Sequence, residues 1–401
     1  MGTIERRATR VAMALLTVVL LAVACSATGT DAAAPDGGGG DGGDEPTTTT
    51  TTFQPRSFTV VGTGDILLHN NVIQQGKTYA KGTPAAYNFD PMFDQVRDLI
   101  TTADLAICHQ ETPISADNTN LTVPRTLSFN APKEIATAIK SAGYDGCDTA
   151  SNHTYDRNAK GVKDTLDVLD SVGLQHAGSS RNQQEADTPP IYDVKGVKVG
   201  HLAYSYDIYN TAGPDTQVPP DTPWLKAMLW PVKGAAGILA DAQRLRDRGA
   251  EFVVMSIHWG DQYIHQPNAQ QRQLAKDVLT PTGGVDLILG DHVHVVQPCE
   301  KIGDKYVTYG MGNFLSNQSP TQDRTLVDDN QDGSLQRFTI DEVSPGQFKA
   351  VKMEYQPTWV VIPGHVVTPA TPTNFKKSYD RTVANINLLG QAGGCDATPL
   401  A

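Results

Sequence analysis

Cysteine is scarce in this chain, with 5 residues in 401, which excludes a disulfide-rich scaffold without a hydrophobic core. Basic residues are outnumbered by acidic ones, 32 against 44, and the formal charge is −12. Nucleic-acid-binding proteins usually present a basic face, so we expect no nucleic acid among the partners. With 39% apolar residues, the chain is too apolar to be disordered and long enough to bury a large core.

Long apolar runs are missing except near the N-terminus, which excludes a polytopic membrane protein. Residues 1–25 are predicted to be an export signal, because arginines precede an apolar run at 11–23 that is short for a membrane span. The run leads into AVAC at 22–25, which resembles a bacterial lipobox and predicts a lipidated Cys25 that anchors the protein to the cell membrane. The alternative is cleavage after the Ala-x-Ala sequence, which would give a secreted protein. Either way, we expect an extracytoplasmic protein.

Three further regions follow the signal. Residues 26–52 are predicted to be a disordered linker, because they are rich in Gly and Thr and contain no Lys, Arg or aromatic residue. We expect one main domain over residues 53–365 and a C-terminal extension over residues 366–401.

Four cysteines lie in the folded part of the chain: Cys108, Cys147, Cys299 and Cys395. An even number outside the cytoplasm favours two disulfides, for which three pairings exist. Cys108 and Cys147 are near the ends of two successive predicted strands and could be neighbours. Cys299 with Cys395 would then fasten the C-terminal tail.

Predicted strands alternate with predicted helices along the body. Short β-branched or apolar runs predict strands at 57–61, 105–108, 144–149, 252–257, 285–289, 306–309, 335–340 and 348–355. Helical spacing predicts helices at 91–102, 132–142, 162–172, 235–248 and 270–279, and residues 192–206 predict a hairpin that turns at Lys195-Gly196. Early βαβ units followed by further strands predict an α/β sandwich with parallel and antiparallel parts.

Carboxylate, amide and imidazole side chains follow five of these strands. In open α/β sheets, ligand sites form beyond the carboxyl ends of the strands. Each residue alone is compatible with a turn or a structural role, but the ordered set predicts one cluster that binds divalent ions, since carboxylate, amide and imidazole ligands suit such metals. The set consists of Asp65; His109 and Glu111; Asn152, His153 and Asp156; His258; Asp291, His292 and His294.

The motifs occur in a recognisable order: GDILLH at 64–69, HQETP at 109–113, SNHTYD at 151–156, HWGDQY at 258–263, GDHVHVVQP at 290–298 and YGMGNFLSNQ at 309–318. Together they resemble the bacterial capsule-synthesis family of CapA type, which is associated with poly-γ-glutamate. That family is similar in fold to calcineurin-like metallophosphoesterases. The resemblance implies a four-layer α/β/β/α sandwich of mixed sheets.

The resemblance also implies a role for each matching residue. One or two divalent ions, Mn, Fe or Zn, would activate water and stabilise negative charge. Asp65 would bind one metal, Glu111 would bridge, and Asn152 would bind the second metal. His153 and Asp156 would be catalytic, with His153 as proton donor or oxyanion stabiliser. The remaining implied metal ligands are His258, His292 and His294.

Two motifs depart from the patterns they resemble. The phosphoesterase D-x-H motif is DIL at 65–67, so its histidine is missing, and His69 is a candidate substitute ligand. The Asn-Leu-Glu of the capsule family is HQE at 109–111, which keeps the glutamate and replaces the asparagine by histidine.

Three functions remain open from the sequence. The first is a membrane-tethered, metal-dependent hydrolase or transferase acting on an anionic surface polymer or its precursor, such as poly-γ-glutamate. The second is a metallophosphoesterase acting on phosphodiesters. The third is a non-catalytic partner of a membrane polymer synthase that binds the nascent chain. Loss of the metal ligands should abolish the first two functions and spare the third.

Overall fold

The computed structural model describes residues 53–210 and 216–400. The predicted signal peptide, the linker and the lipidated Cys25 lie outside these residues. Within the two described stretches, no helix has both the length and the apolar character that crossing a bilayer requires.

Strands and helices alternate over most of the described chain. The strands are β1 (Ser57–Ile66), β2 (Leu105–Gln110), β3 (Ile114–Ser115), β4 (Ala131–Pro132), β5 (Gly146–Asp148), β6 (Gln175–Ala177), β7 (Ile191–Val194), β8 (Val197–Ser205), β9 (Phe252–His258), β10 (Leu287–Asp291), β11 (Cys299–Ile302), β12 (Lys305–Thr308), β13 (Asn313–Leu315), β14 (Asp332–Ser344), β15 (Gln347–Val361), β16 (Val366–Pro369) and β17 (Thr398–Pro399). The α-helices are α1 (Asn70–Tyr79), α2 (Asp90–Phe93), α3 (Arg97–Thr101), α4 (Glu134–Ala142), α5 (Asn158–Ser171), α6 (Gln183–Asp187), α7 (Trp230–Asp247), α8 (Ala269–Val278), α9 (Lys376–Ile386) and α10 (Gly390–Gly393). Short 3₁₀ helices cover Pro223–Met228 and Asp328–Gln331.

Two mixed sheets form the centre of the fold. The larger sheet has the order β16-β15-β14-β1-β2-β5-β6, with β13 paired to β1 and β17 paired to β15. Its β1, β2, β5 and β6 are parallel, whereas β14, β15 and β16 pair antiparallel. The other sheet has the order β11-β12-β10-β9-β8-β7, with parallel β8, β9, β10 and β12 between antiparallel edges. Each sheet therefore presents several parallel carboxyl ends at one edge.

The sheets pack face to face, with helices on their outer faces. Alternation along the strands makes this arrangement possible, because successive side chains point to opposite faces. On β1, Val60 joins the core between the sheets, while Val61 joins the core beneath α1, α2 and α4. In the other sheet, Val254 faces the central core, and Val253 packs against α7 and α8. The predicted four-layer α/β/β/α sandwich is confirmed.

Most predicted elements are present, with shifted ends. The hairpin turns at Lys195 and Gly196, which both have positive φ, as a tight two-residue turn of the right twist requires. The helix predicted at 91–102 is instead two short helices, α2 and α3, separated by a turn at 94–96. The strand predicted at 57–61 continues to Ile66, inside the GDILLH motif, because pairing with β2 and β13 extends that far.

Both cysteine pairs form disulfides. Cys108 and Cys147 are opposite one another on β2 and β5, with Cα atoms 4.4 Å apart. Cys299, on β11, is bonded to Cys395 in the C-terminal region. Residues 366–369 also pair with β15, so the C-terminal residues contribute directly to the larger sheet.

Candidate metal centre

At one edge of the sandwich, two rows of polar side chains lie at the carboxyl ends of the parallel strands. Asp65 lies opposite His109 on β1 and β2, and His109 lies opposite Asp148 on β5. In the other sheet, His258 lies opposite Asp291 on β9 and β10. All five are buried. Chain topology thus brings residues that are distant in sequence to one place, as the strand-end rule predicts.

The loop after β10 turns two imidazoles towards the other sheet. His292 and His294 have φ values of 93° and 56°, which are uncommon for residues other than glycine and are found at functional sites that other contacts hold in place. The His292 backbone N–H donates to Asp65 Oδ1 at 3.2 Å, and His294 Nδ1 lies 2.9 Å from Asp65 Oδ2. Asp65 therefore links the two sheets at this edge.

A tight loop supports this arrangement from below. The Asp65 backbone N–H donates to the Gly312 carbonyl at 2.9 Å. A Cβ at Gly64 would lie 2.0 Å from that carbonyl oxygen, so only glycine permits this approach. Asn313 Oδ1 lies 3.2 Å from His294 Nδ1, and Asn313 Nδ2 donates to the Asn330 carbonyl at 2.8 Å. The GNF part of the last motif thus positions His294.

Asp65, Glu111 and His294 form what we call the carboxylate centre. Their ligand atoms lie within 4.8 Å of one another. Both carboxylate oxygens of Glu111 are buried without a hydrogen-bond partner, and Glu111 Oε1 lies 3.8 Å from His294 Nε2. Burial raises the pKa of Glu111. At Asp65 burial also acts to raise the pKa, but the hydrogen bond and charge of His294, the charge of His109 and the His292 backbone N–H together outweigh it and lower the pKa. An unpartnered buried carboxylate is costly unless a cation or proton accompanies it.

Asn152, His258 and His292 form the second group, the histidine centre. His258 Nε2 lies 3.0 Å from Asn152 Oδ1 and 3.0 Å from His292 Nδ1. Burial, with the nearby His294, lowers the pKa of His292 to about 3, and burial lowers the pKa of His258 well below its ordinary value. Both rings are therefore neutral at pH 7 and offer lone pairs, which is the form that binds metal.

The two predicted catalytic residues lie beside these centres. His153 Nδ1 lies 2.9 Å from Asp156 Oδ2, and Asp156 also accepts the Phe129 backbone N–H at 2.6 Å. The Phe129 ring contacts His153 edge to face, at 4.6 Å between centroids. The carboxylate and the ring together fix the orientation of the His153 imidazole.

His69 occupies a different environment from the other predicted ligands. Its ring packs against Phe129, with centroids 5.3 Å apart, and burial lowers its pKa to about 3. Among the described residues, three groups of His, Cys, Asp or Glu have the spacing for a metal ion, and neither His69 nor His292 belongs to one of them.

Three residues without an assigned ligand role belong to these groups. His109 joins Asp65 and His258 in one group, and Asp148 and Asp291 in another. Burial raises the pKa of Asp291 well above its ordinary value. The HQE motif indicated His109 in the sequence. The alignment of His109 with Asp148 depends on the register between β2 and β5, which one sequence does not reveal. The Tyr206 ring also lies beside the histidine centre, 4.7 Å from the His292 ring between centroids.

The donor set fits divalent metal ions. Neutral imidazoles, an amide oxygen and carboxylates converge, and several of their ligand atoms are buried without partners, including both Glu111 oxygens, His109 Nε2 and His258 Nδ1. Borderline metals such as Zn, Mn and Fe prefer such mixed nitrogen and oxygen ligands. Asp65 and Glu111 supply the negative charge that a divalent cation in this cluster requires.

Comparison with known proteins identifies relatives among capsule-synthesis proteins. The profile described as "Bacterial capsule synthesis protein PGA_cap" matches residues 59–318, more than half of the chain. A capsule biosynthesis protein CapA of Bacillus anthracis is 26% identical over 67% of this chain and 62% of its own length, so this chain spans less than two thirds of that relative. The PGA biosynthesis protein CapA of Bacillus subtilis is 24% identical over 77% of this chain and 72% of its own length.

Among solved structures, one described as a novel phosphatase of Mycoplasma pneumoniae is 14% identical, with a TM-score of 0.43 over 82% of this chain and 100% of that chain. We draw no functional conclusion from a likeness at that level. The profile match and the order of the motifs agree with the site geometry: this chain belongs to the bacterial capsule synthesis family PGA_cap.

Proposed function

We propose that this protein is a membrane-tethered, extracytoplasmic enzyme of capsule or cell-envelope polymer biosynthesis, with a metal-dependent hydrolase or transferase site. Its substrate is an anionic polymer of the poly-γ-glutamate kind or a precursor of it. The names of the two CapA relatives refer to capsule and PGA biosynthesis, which supports a role in polymer biosynthesis. The predicted signal and lipobox support the location.

The adjacency of the carboxylate centre and the histidine centre is the observation that carries the enzymatic part. A purely structural cluster would pair its buried polar atoms, because each unpaired one costs about 1–3 kcal/mol. Here both oxygens of Glu111 lack a partner, although the residue is only 1% exposed. Such atoms fit a cation site that also accepts substrate.

The chain supplies the remaining parts of the chemistry. Divalent ions bound here would provide an activated water and neutralise charge on the substrate. Asp65 orients His294, and Asn152 orients His258, through the contacts given above. His153, held by Asp156, is placed to give a proton to the nitrogen that leaves when an amide bond breaks. Bound cations would also offset the acidic body when a polyanion approaches.

The test uses the purified full chain, loaded separately with Zn²⁺, Mn²⁺ or Fe²⁺, and incubated with poly-γ-glutamate or with bis(4-nitrophenyl) phosphate. Polymer length, amine release and metal content are measured. The double variant His292→Ala/His294→Ala removes one ligand from each centre. The matched control is His265→Ala, since His265 contacts the Val296 carbonyl and Asp329 away from both centres.

We expect one or two metal ions per chain and a metal-dependent change in polymer length, both lost in the double variant and kept in His265→Ala. Cleavage of the phosphodiester with an unchanged polymer would overturn the proposed substrate in favour of phosphoesterase chemistry. A wild-type chain that binds none of the three metals would overturn the enzyme proposal in favour of a polymer-binding role.

A further inference from the structure

His109 carries a buried nitrogen that no contact explains. Its Nε2 has no hydrogen-bond partner, and the residue is 1% exposed. Asp65 Oδ1 lies 3.8 Å from this nitrogen, which is too long for a hydrogen bond. The His109 and His258 rings lie 4.9 Å apart between centroids. The unpartnered nitrogen therefore belongs to the space that the predicted metal ligands surround.

The other nitrogen of His109 is firmly held. His109 Nδ1 lies 2.7 Å from Asp148 Oδ1, across the β2–β5 pairing that also contains the Cys108–Cys147 disulfide. A carboxylate that accepts the Nδ1 proton leaves the Nε2 lone pair available and fixes the direction of the ring. Metal-binding histidines in proteins are usually oriented by a carboxylate or carbonyl in this way.

A purely electrostatic role fits these contacts less well. A protonated His109 could serve as counter-ion to Asp148 and Asp65. Burial alone would lower the pKa of His109, but Asp148, Asp291 and Asp65 raise it well above its ordinary value in the absence of metal. A protonated Nε2 would nevertheless lack a hydrogen-bond acceptor, since Asp65 Oδ1 lies 3.8 Å away. A buried charged donor without an acceptor is strongly unfavourable, whereas a lone pair directed at a cation is satisfied by it.

We propose that His109 is a metal ligand through Nε2, bound to the same cation as Asp65, with Asp148 as its positioning partner. This rests on the proposed metal site and adds a ligand to it. The capsule-family pattern has asparagine at this position, and the D-x-H motif of the phosphoesterases supplies its histidine from the first strand instead. In this chain, β2 supplies the histidine from the position opposite Asp65.

The experiment compares the full chain with His109→Asn, His109→Gln and Asp148→Asn. His201→Asn is the matched control, because His201 is equally buried and contacts Ser256 outside all three ligand groups. Zn²⁺ affinity is measured by competition with a chelator. The protein labelled with ¹⁵N-histidine is also loaded with ¹¹³Cd²⁺, and the imidazole nitrogens that couple to cadmium are counted by NMR.

Loss of a hydrogen-bonding partner of a metal-bound histidine typically costs 10- to 100-fold in metal affinity, so we expect about that loss for Asp148→Asn. We expect at least as large a loss for both His109 variants, one fewer cadmium-coupled nitrogen, and no change for His201→Asn. An unchanged number of coupled nitrogens in folded His109→Asn would overturn the proposal. Absence of cadmium coupling at every histidine of the wild type would instead overturn the proposed function itself.

Discussion

The two centres differ in charge although they share one edge of the fold. The carboxylate centre contains two acids and one imidazole, whereas the histidine centre contains two neutral imidazoles and an amide. Asp65 Oδ2 lies 2.9 Å from His294 Nδ1. His258 Nε2 lies 3.0 Å from Asn152 Oδ1 and 3.0 Å from His292 Nδ1. On the proposed function, the carboxylate centre would attract cations by charge, and the histidine centre would bind them by coordination alone.

This difference predicts an order of occupation. A buried pair of carboxylates gains more from a divalent ion than neutral ligands do, because the ion removes the cost of the buried charge. The carboxylate centre should fill first and also accept harder ions such as Mn²⁺, whereas the histidine centre should favour Zn²⁺ or Fe²⁺. Variants that affect one centre at a time can test this comparison.

Asp65→Asn should have the largest effect, because Asp65 contacts His292 and His294 and faces His109. We expect loss of the tightest metal ion and of all metal-dependent activity, with an affinity loss beyond the roughly 100-fold typical of a ligand's supporting contacts. Titration of metal into the protein, followed by calorimetry, measures the affinity. Asp332→Asn is the control, since Asp332 is a buried acid that pairs with Arg381. A variant that keeps full affinity would remove Asp65 from the ligands.

His292→Ala should have a smaller effect, confined to the histidine centre. We expect the number of bound ions to fall by one, while the tighter ion remains, because Asp65, Glu111 and His294 are unchanged. His294→Ala is the matched comparison and should remove the tighter ion instead. Elemental analysis after dialysis against a weak chelator distinguishes them. Identical losses in the two variants would mean that the centres act as one site.

How much of this was predictable from the sequence depends on what each feature requires. The proximity of the six expected metal ligands could be predicted because parallel strands end at one edge, so that motif order alone indicates closeness. Their role as ligands stays a prediction. The sandwich followed from alternating strands and helices together with the resemblance. The pairing of Cys108 with Cys147 was one of several open choices until β2 and β5 were seen to be adjacent.

Other features depend on geometry that a single sequence does not contain. His109 and Asp148 meet only because of the register between β2 and β5, and a shift by one residue would turn them to opposite faces. His69 follows the first strand and was a reasonable substitute ligand by sequence distance. In the structure its ring packs against Phe129, as the His153 ring does, and its role as a ligand stays a prediction. Helical spacing at 91–102 predicted one helix, but spacing does not reveal the turn at 94–96 that interrupts it.

The smallest expected effect is a pH dependence of opposite sign for His292 and Glu111 in the metal-free protein. The pKa of His292 is lowered to about 3 by burial and by His294, so its contribution to stability is complete above pH ~6.5 and is lost as the pH falls towards 3. The pKa of Glu111 is raised by burial, so its contribution is complete below its unfolded-state value near 4.3 and is lost as the pH rises through its folded-state value.

Urea unfolding of the chelator-treated full chain at pH 7.5, 6 and 5 measures this dependence. Each buried neutral imidazole should lower the unfolding free energy by up to about 1.4 kcal/mol per pH unit below pH ~6.5, so His292→Gln should show a shallower fall than the wild type. Glu111→Gln should increase the unfolding free energy more at pH 7.5 than at pH 5, because it removes a carboxylate that is buried without a partner. Equal slopes in wild type and His292→Gln would show that His292 is solvated without metal, and would remove the electrostatic distinction between the two centres.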